Sequence, residues 1–89
     1  MVRVRFTPQL RRFVDAPEAL TSATTLRAAL ADAFAGRARL AAYVLDEQGH
    51  LRPNVVVFVD GRRCDDRVGL ADPLGPDSTV DVMQALSGG

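Results

Sequence analysis

The chain contains no lysine and no tryptophan, and it has one cysteine, Cys64, and one histidine, His50, among 89 residues. A single cysteine cannot form an internal disulfide and has no cysteine partners for a metal site. Without lysine there is no ε-amine for acylation, Schiff-base formation or phosphate clamping. With a single histidine, beside a glycine turn, no nucleophile–histidine pair is expected. These absences predict that the chain carries no catalytic centre and no metal site of its own.

Charge of one sign is not in excess, because eleven basic residues balance eleven acidic ones. No net field therefore draws the protein to nucleic acid or to an anionic membrane. The sequence has no apolar run long enough to cross a bilayer and no signal peptide, which predicts a cytoplasmic protein. A hydrophobic fraction of 47% with 25% charged residues is typical of a globular chain, and the length predicts one domain over residues 1–89.

All eleven basic residues are arginine. Two interpretations stay open at this stage. A GC-rich coding sequence explains the bias without any function. Alternatively, a protein with an activated carboxyl terminus benefits from having no amine that accepts its own acyl group.

Alternation and helical spacing predict the secondary structure. Residues 2–6 alternate as a strand with Val2, Val4 and Phe6 inward, and a short turn over residues 9–14 is predicted to fold Leu10 and Phe13 over the core edge. The remaining predicted elements are an edge strand at 18–23, a helix from the N-cap Thr25 to Gly36, a short helix at about 37–45, a strand at 54–59, a hairpin turn at Asp60-Gly61, and a final strand at 79–86.

One main helix against a small mixed sheet predicts an α+β fold in two layers. Helical crossovers separate the first and last strands, so these two strands can lie parallel at the centre of the sheet. This arrangement is the β-grasp, or ubiquitin-like, fold.

The last strand is followed directly by Gly88 and Gly89. Glycine has no Cβ, so residues 87–89 are predicted to form a thin, flexible tail that ends in a free carboxylate. A frayed terminus is the simpler interpretation. A carboxylate presented in this way also suits chemistry performed by a second protein that admits the tail through a narrow slot.

Similarity to a known family is found in four segments: Val2-Arg3-Val4-Arg5-Phe6 with Gln9-Leu10-Arg11, Thr25-Leu26 with Ala29-Leu30, Phe58-Val59-Asp60-Gly61, and Asp77-Ser78-Thr79-Val80 with Ser87-Gly88-Gly89. Together they resemble the MoaD/ThiS family of sulfur carriers, and most of all its cysteine-biosynthesis carriers and archaeal small modifiers. Gln84-Ala85 stands where many members have proline, and Ser87 stands where alanine is common.

The resemblance implies a carrier that acts as a cosubstrate and not as an enzyme. An E1-like adenylating enzyme would use ATP and Mg²⁺ to activate the Gly89 carboxylate, which would become a thiocarboxylate and donate sulfur to a sulfur-accepting synthase. Gly88 and Ser87 would pass through the partner's channel. No cofactor would be bound by the carrier itself.

Strand parity predicts the partner-binding surface. If Val55, Val57 and Val59 face the helix, then Val56, Phe58 and Met83 form an apolar patch on the open face of the sheet, with Leu86 beside the tail. The opposite parity stays open, because five consecutive apolar residues fit both. Arg3 and Arg5 would line the same open face, either solvated or paired with acidic groups.

Other functions remain as alternatives. The chain would act as a protein modifier if Gly89 were joined to lysines of other proteins, or as the small subunit of molybdopterin synthase if its tail entered a catalytic subunit. A plain β-grasp interaction domain would give the Gly-Gly ending no role.

Overall fold

The computed structural model describes residues 1–84. Its elements are β1 (Val2–Phe6), α1 (Pro8–Arg11), β2 (Ala19–Thr21), α2 (Leu26–Phe34), α3 (Ala38–Val44), β3 (Val55–Val59), β4 (Arg62–Arg63) and β5 (Thr79–Gln84). Every predicted helix and strand is present, within one to three residues of its predicted bounds. The last two residues of the predicted final strand, Ala85 and Leu86, lie outside the described part of the chain.

The five strands form one sheet in the order β2-β1-β5-β3-β4. β1 and β5 are parallel neighbours, with Val4 opposite Val80 and Phe6 opposite Val82. β2 pairs antiparallel with β1 at one edge, and β3 pairs antiparallel with both β5 and β4 on the other side. The predicted central parallel pair is therefore confirmed.

The turn between β3 and β4 has positive φ at both central residues, 51° at Asp60 and 82° at Gly61. This is the backbone of a type I′ hairpin, which the Asp-Gly pair predicted. The Asp60 carboxylate also ties the turn to the start of β5. It accepts hydrogen bonds from the Thr79 N–H at 2.9 Å and from the Ser78 hydroxyl at 2.8 Å.

Helix α2 begins where the sequence predicted, because the Thr25 side chain accepts a hydrogen bond from the Ala28 N–H at 3.2 Å. Its apolar stripe is buried against the inner face of the sheet, and it consists of Leu26, Ala29, Leu30, Ala33 and Phe34. Gly36 follows the helix with φ of 71°, a conformation that favours glycine.

One predicted core residue is not buried. Leu10 of α1 is fully buried as expected, whereas Phe13 is 54% exposed. The four-residue helix ends at Arg11, so the chain turns before Phe13 reaches the core edge. The Phe13 ring instead stacks on Tyr43 of α3, with 6.1 Å between the ring centroids.

Candidate partner-binding site

The predicted site residues fall into two groups. Val56, Phe58 and Met83 lie on β3 and β5, within the described part of the chain. The four others lie outside the described residues: Leu86, Ser87, Gly88 and Gly89.

The alternation of β3 is resolved by burial. Val55, Val57 and Val59 are at most 8% exposed, whereas Val56 and Phe58 are half-buried. This is the first of the two parities considered from the sequence, and it places Val56 and Phe58 on the sheet face opposite α2. On β5, Val80 and Val82 are buried and Met83 is half-buried on that same outer face.

The register of the sheet brings the three apolar side chains together. Val56 lies directly opposite Met83, and Phe58 lies opposite Asp81, one row away on the same face. Cross-strand neighbours of this kind have Cβ atoms about 4.5–5.5 Å apart. Val56, Phe58 and Met83 therefore form a contiguous surface, which we call the apolar patch.

Charged residues border the apolar patch on both sides. The Arg5 guanidinium donates two hydrogen bonds to the Asp81 carboxylate, at 2.7 and 3.1 Å. This hydrogen bonding, with the attraction of the Asp81 charge, raises the pKa of Arg5. Arg3 forms a second pair with Glu18 at 3.0 Å. Of the two states considered for Arg3 and Arg5, the structure shows the paired one.

On the β4 side, exposed Arg63 lies opposite Phe58 in the hairpin. Sequence reasoning did not assign Arg63 to this surface. The Asp60-Gly61 turn contains the necessary signal, since a two-residue hairpin loop fixes which residues of the two strands face each other. A cation thus stands at the edge of the apolar patch.

Outside the apolar patch, Cys64 and Asp66 could in principle be reactive, but both are held in hydrogen bonds within the fold. Cys64 is 2% exposed, and burial, together with a hydrogen bond to Asp72, raises the pKa of its thiol to about 11. Asp66 accepts hydrogen bonds from the Gly69 and Ala71 N–H groups, which lower the pKa of its carboxyl group. Among residues 1–84, no three His, Cys, Asp or Glu side chains are grouped to hold a metal ion.

Within the described residues, each helix is too short or too polar to cross a bilayer.

Comparison with known proteins gives matches at the level of structure. The sequence matches no family description and no curated protein. A chain of the Amycolatopsis orientalis BexX/CysO complex is 20% identical, with a TM-score of 0.80 and 100% of each chain covered. Mycobacterium tuberculosis CysO is 22% identical, with a TM-score of 0.78, 97% of this chain and 100% of that chain covered.

A third similar structure is the small archaeal modifier protein 1 of Methanosarcina acetivorans. It is 20% identical, with a TM-score of 0.77, 99% of this chain and 95% of that chain covered. At identities this low, the TM-scores establish a common fold and no more. The similar structures belong to the carriers and small modifiers that the sequence was found to resemble. The mixed five-stranded sheet packed on α2 is therefore the predicted ubiquitin-like β-grasp fold.

Proposed function

We propose that the protein is a sulfur carrier whose Gly89 carboxylate is activated by an E1-like enzyme and converted to a thiocarboxylate. The observation that carries this proposal is the position of β5. This strand lies between β1 and β3 at the centre of the sheet, and its last described residue, Gln84, is five residues from Gly89 in the sequence. The carboxylate that we propose to be activated therefore belongs to a residue five positions beyond a central strand of the sheet.

In this chemistry the carrier would contribute only its terminal carboxylate. A carboxylate oxygen of Gly89 would attack the α-phosphorus of ATP and release pyrophosphate, with Mg²⁺ held by the activating enzyme. A sulfur nucleophile would then attack the carbonyl carbon, the bond to AMP would break, and the thiocarboxylate would remain. Glycine suits both steps because a side chain on the terminal residue would crowd the carbonyl and the approach to it.

The apolar patch supports the proposal that the carrier binds a partner protein through its sheet. Half-buried Phe58 and Met83 lie on the strands nearest the tail, and exposed apolar clusters on small proteins mark protein-binding sites. We propose that Val56, Phe58 and Met83 bind the activating enzyme, that Leu86 extends the same contact, and that Ser87 and Gly88 enter its channel.

Intact-mass measurement tests the proposal. The protein is incubated with a purified E1-like adenylating enzyme, ATP, Mg²⁺ and a sulfide source. Replacement of one oxygen atom by sulfur supports the carrier function, and a variant lacking Gly88-Gly89 must remain unchanged. An unaltered mass with several such enzymes, under conditions that activate their own carriers, would contradict it.

Two phenylalanines provide a matched test of the apolar patch. Phe58→Ala is expected to slow thiocarboxylate formation at least about tenfold, the loss of roughly 1.4 kcal/mol at an anchor residue. Phe13→Ala removes an exposed ring that stacks on Tyr43 of α3 and is not one of the three patch residues, and it is expected to leave the rate unchanged. Equal effects of the two substitutions would remove the patch from the binding site.

A second candidate is a protein modifier joined through Gly89 to amines of other proteins. The likeness to a small archaeal modifier protein favours it. Both functions share the activated Gly89 carbonyl and differ in the nucleophile that accepts it. High-mass conjugates that disappear when Gly89 is deleted would identify the modifier.

A further inference from the structure

An activated Gly89 carbonyl is exposed to every nucleophile that it can reach, including those of its own molecule. An amine that attacked the carbonyl carbon would form a C–N bond, break the bond to the leaving group and lose its proton to solvent. A thiol would exchange in the same way. The product would be a closed or cross-linked protein, and the activated group would be lost.

Primary amines are nearly absent. The 89 residues contain no lysine, and arginine remains protonated and is a poor acyl acceptor. The amine that remains is the α-amino group of Met1, which lies 3.8 Å from the Asp77 carboxylate. Its position in the fold therefore decides whether the molecule can acylate itself.

The parallel register places that amine at the wrong end of the sheet. Arg3 lies beside Thr79 and Phe6 beside Val82, so Met1 lies next to the start of β5 and Gln84 lies beyond its far end. From Met1 to the level of Gln84 is about seven strand residues, or about 23 Å at about 3.3 Å each. The five residues that follow Gln84 span at most about 18 Å when fully extended. Gly89 does not reach Met1.

The Cys64 thiol is kept from the activated carbonyl by burial and not by distance. Cys64 is 2% exposed, and its Sγ lies 3.4 Å from both the Asp66 carbonyl oxygen and an Asp72 carboxylate oxygen. Burial raises the pKa of this thiol to about 11, so very little thiolate, the nucleophilic form, exists near neutral pH.

We propose that the fold protects the activated terminus from the protein's own amine and thiol groups, so that the acyl group persists until a nucleophile of another molecule accepts it. This inference rests on the proposed function. It holds whether the absence of lysine arose by selection or from base composition. A modifier of this kind would add single copies to its targets, without lysine-linked chains.

Arginines of β1 provide a graded test. Arg5 lies beside Asp81 and Arg3 beside Thr79, so the two side chains stand about 10 and 17 Å from the level of Gln84 on the same sheet face. Arg5→Lys and Arg3→Lys place an ε-amine at these distances while retaining the charge that pairs with Asp81 and Glu18. Arg11→Lys is a second near position, because exposed Arg11 of α1 lines the same groove as Arg5 and Asp81.

The experiment starts from a Gly89 thioester prepared by cleavage of an intein fusion with a thiol, so no activating enzyme is needed. Intact mass follows ring closure, dimer formation and hydrolysis at low micromolar protein and pH 8. The wild-type thioester is expected to hydrolyse at the rate of a Leu-Ser-Gly-Gly peptide thioester. Arg5→Lys and Arg11→Lys are expected to close intramolecularly at least about tenfold faster than wild type, with Arg3→Lys slower than Arg5→Lys, since effective concentration falls with the span.

Ring closure or dimerisation of the wild-type protein would overturn the proposal. So would failure of both near variants to close while circular dichroism shows them folded, because placement of the amine would then not be what protects the thioester. Either result is independent of whether an E1-like enzyme activates Gly89, which the oxygen-to-sulfur mass change tests separately.

Discussion

Two adjacent valines of β3 are expected to respond very differently to the same substitution. Val57 is 1% exposed and faces the core, whereas Val56 is half-buried on the outer face opposite Met83. Val57→Ala removes two buried methyl groups and leaves a space that its packed neighbours fill only in part. Val56→Ala removes the same atoms from a surface that water already touches.

The magnitude follows from burial. Losing two buried methyl groups costs about 1.6 kcal/mol of transfer free energy, at about 0.8 kcal/mol each. A residual cavity of about 40 Å³ adds about 1 kcal/mol. Val57→Ala should therefore lower the free energy of unfolding by about 2–3 kcal/mol, and Val56→Ala by less than about 1 kcal/mol. The total stability of a domain this size is roughly 4–13 kcal/mol.

Urea denaturation followed by circular dichroism measures both changes, and the thermal midpoint of Val57→Ala should fall by roughly 10–20 °C. Thiocarboxylate formation supplies the second readout, because Val56→Ala should slow activation while the fold remains stable. Equal destabilisation by the two variants, or a larger effect at Val56, would refute the register of β3. A one-residue shift of that register would exchange the two faces.

Three further predictions concern the rest of the fold. Thr25→Ala should lower the free energy of unfolding by about 1 kcal/mol in urea denaturation, with Thr25→Ser close to wild type, because the hydroxyl caps α2. Backbone N–H donors lower the pKa values of Asp60 and Asp66 in the folded state. Their contribution to stability is therefore complete above the unfolded pKa of about 3.9 and is lost as pH falls through the lowered values; the thermal midpoint should drop in that window, and Asp66→Asn should flatten the drop. Cys64, with its raised thiol pKa of about 11, should react with iodoacetamide at pH 8 about 100-fold more slowly in the folded protein than in denaturant, and equal rates would contradict its burial.

The sequence predicted those features that depend on local periodicity and turn chemistry. The stripe of α2, its Thr25 cap and the Asp60-Gly61 hairpin follow from spacings of a few residues, and each is present. The sequence did not show which face of β3 points to the core, because all five residues of this strand are apolar and either alternate set could be buried. Pairing with β5, twenty to thirty residues away in sequence, selects one of them.

Long-range contacts of arginine were not predictable from local patterns. Arg27 of α2 donates hydrogen bonds to the backbone carbonyls of Gly49, Val68 and Gly69, and so ties two loops to the helix. Arg67 similarly donates to the carbonyls of Arg52 and Val55. A helical position outside the apolar stripe shows only that Arg27 faces outward. Which carbonyls it reaches depends on how distant loops are placed, and Phe13 was misassigned for a related reason, since its neighbour Tyr43 lies thirty residues away.

The central position of β5 also constrains the order in which the molecule is made. β1 leaves the ribosome more than seventy residues before β5, yet the two are hydrogen-bonded partners in the middle of the sheet. Until β5 is available, β1 and β3 have no strand between them, and the sheet that supports the helices is divided into two separate pairs of strands. Pairing across such a sequence separation is slow to form. A partially synthesised chain that lacks β5 therefore has neither the completed sheet nor the outer face to which Met83 of β5 contributes.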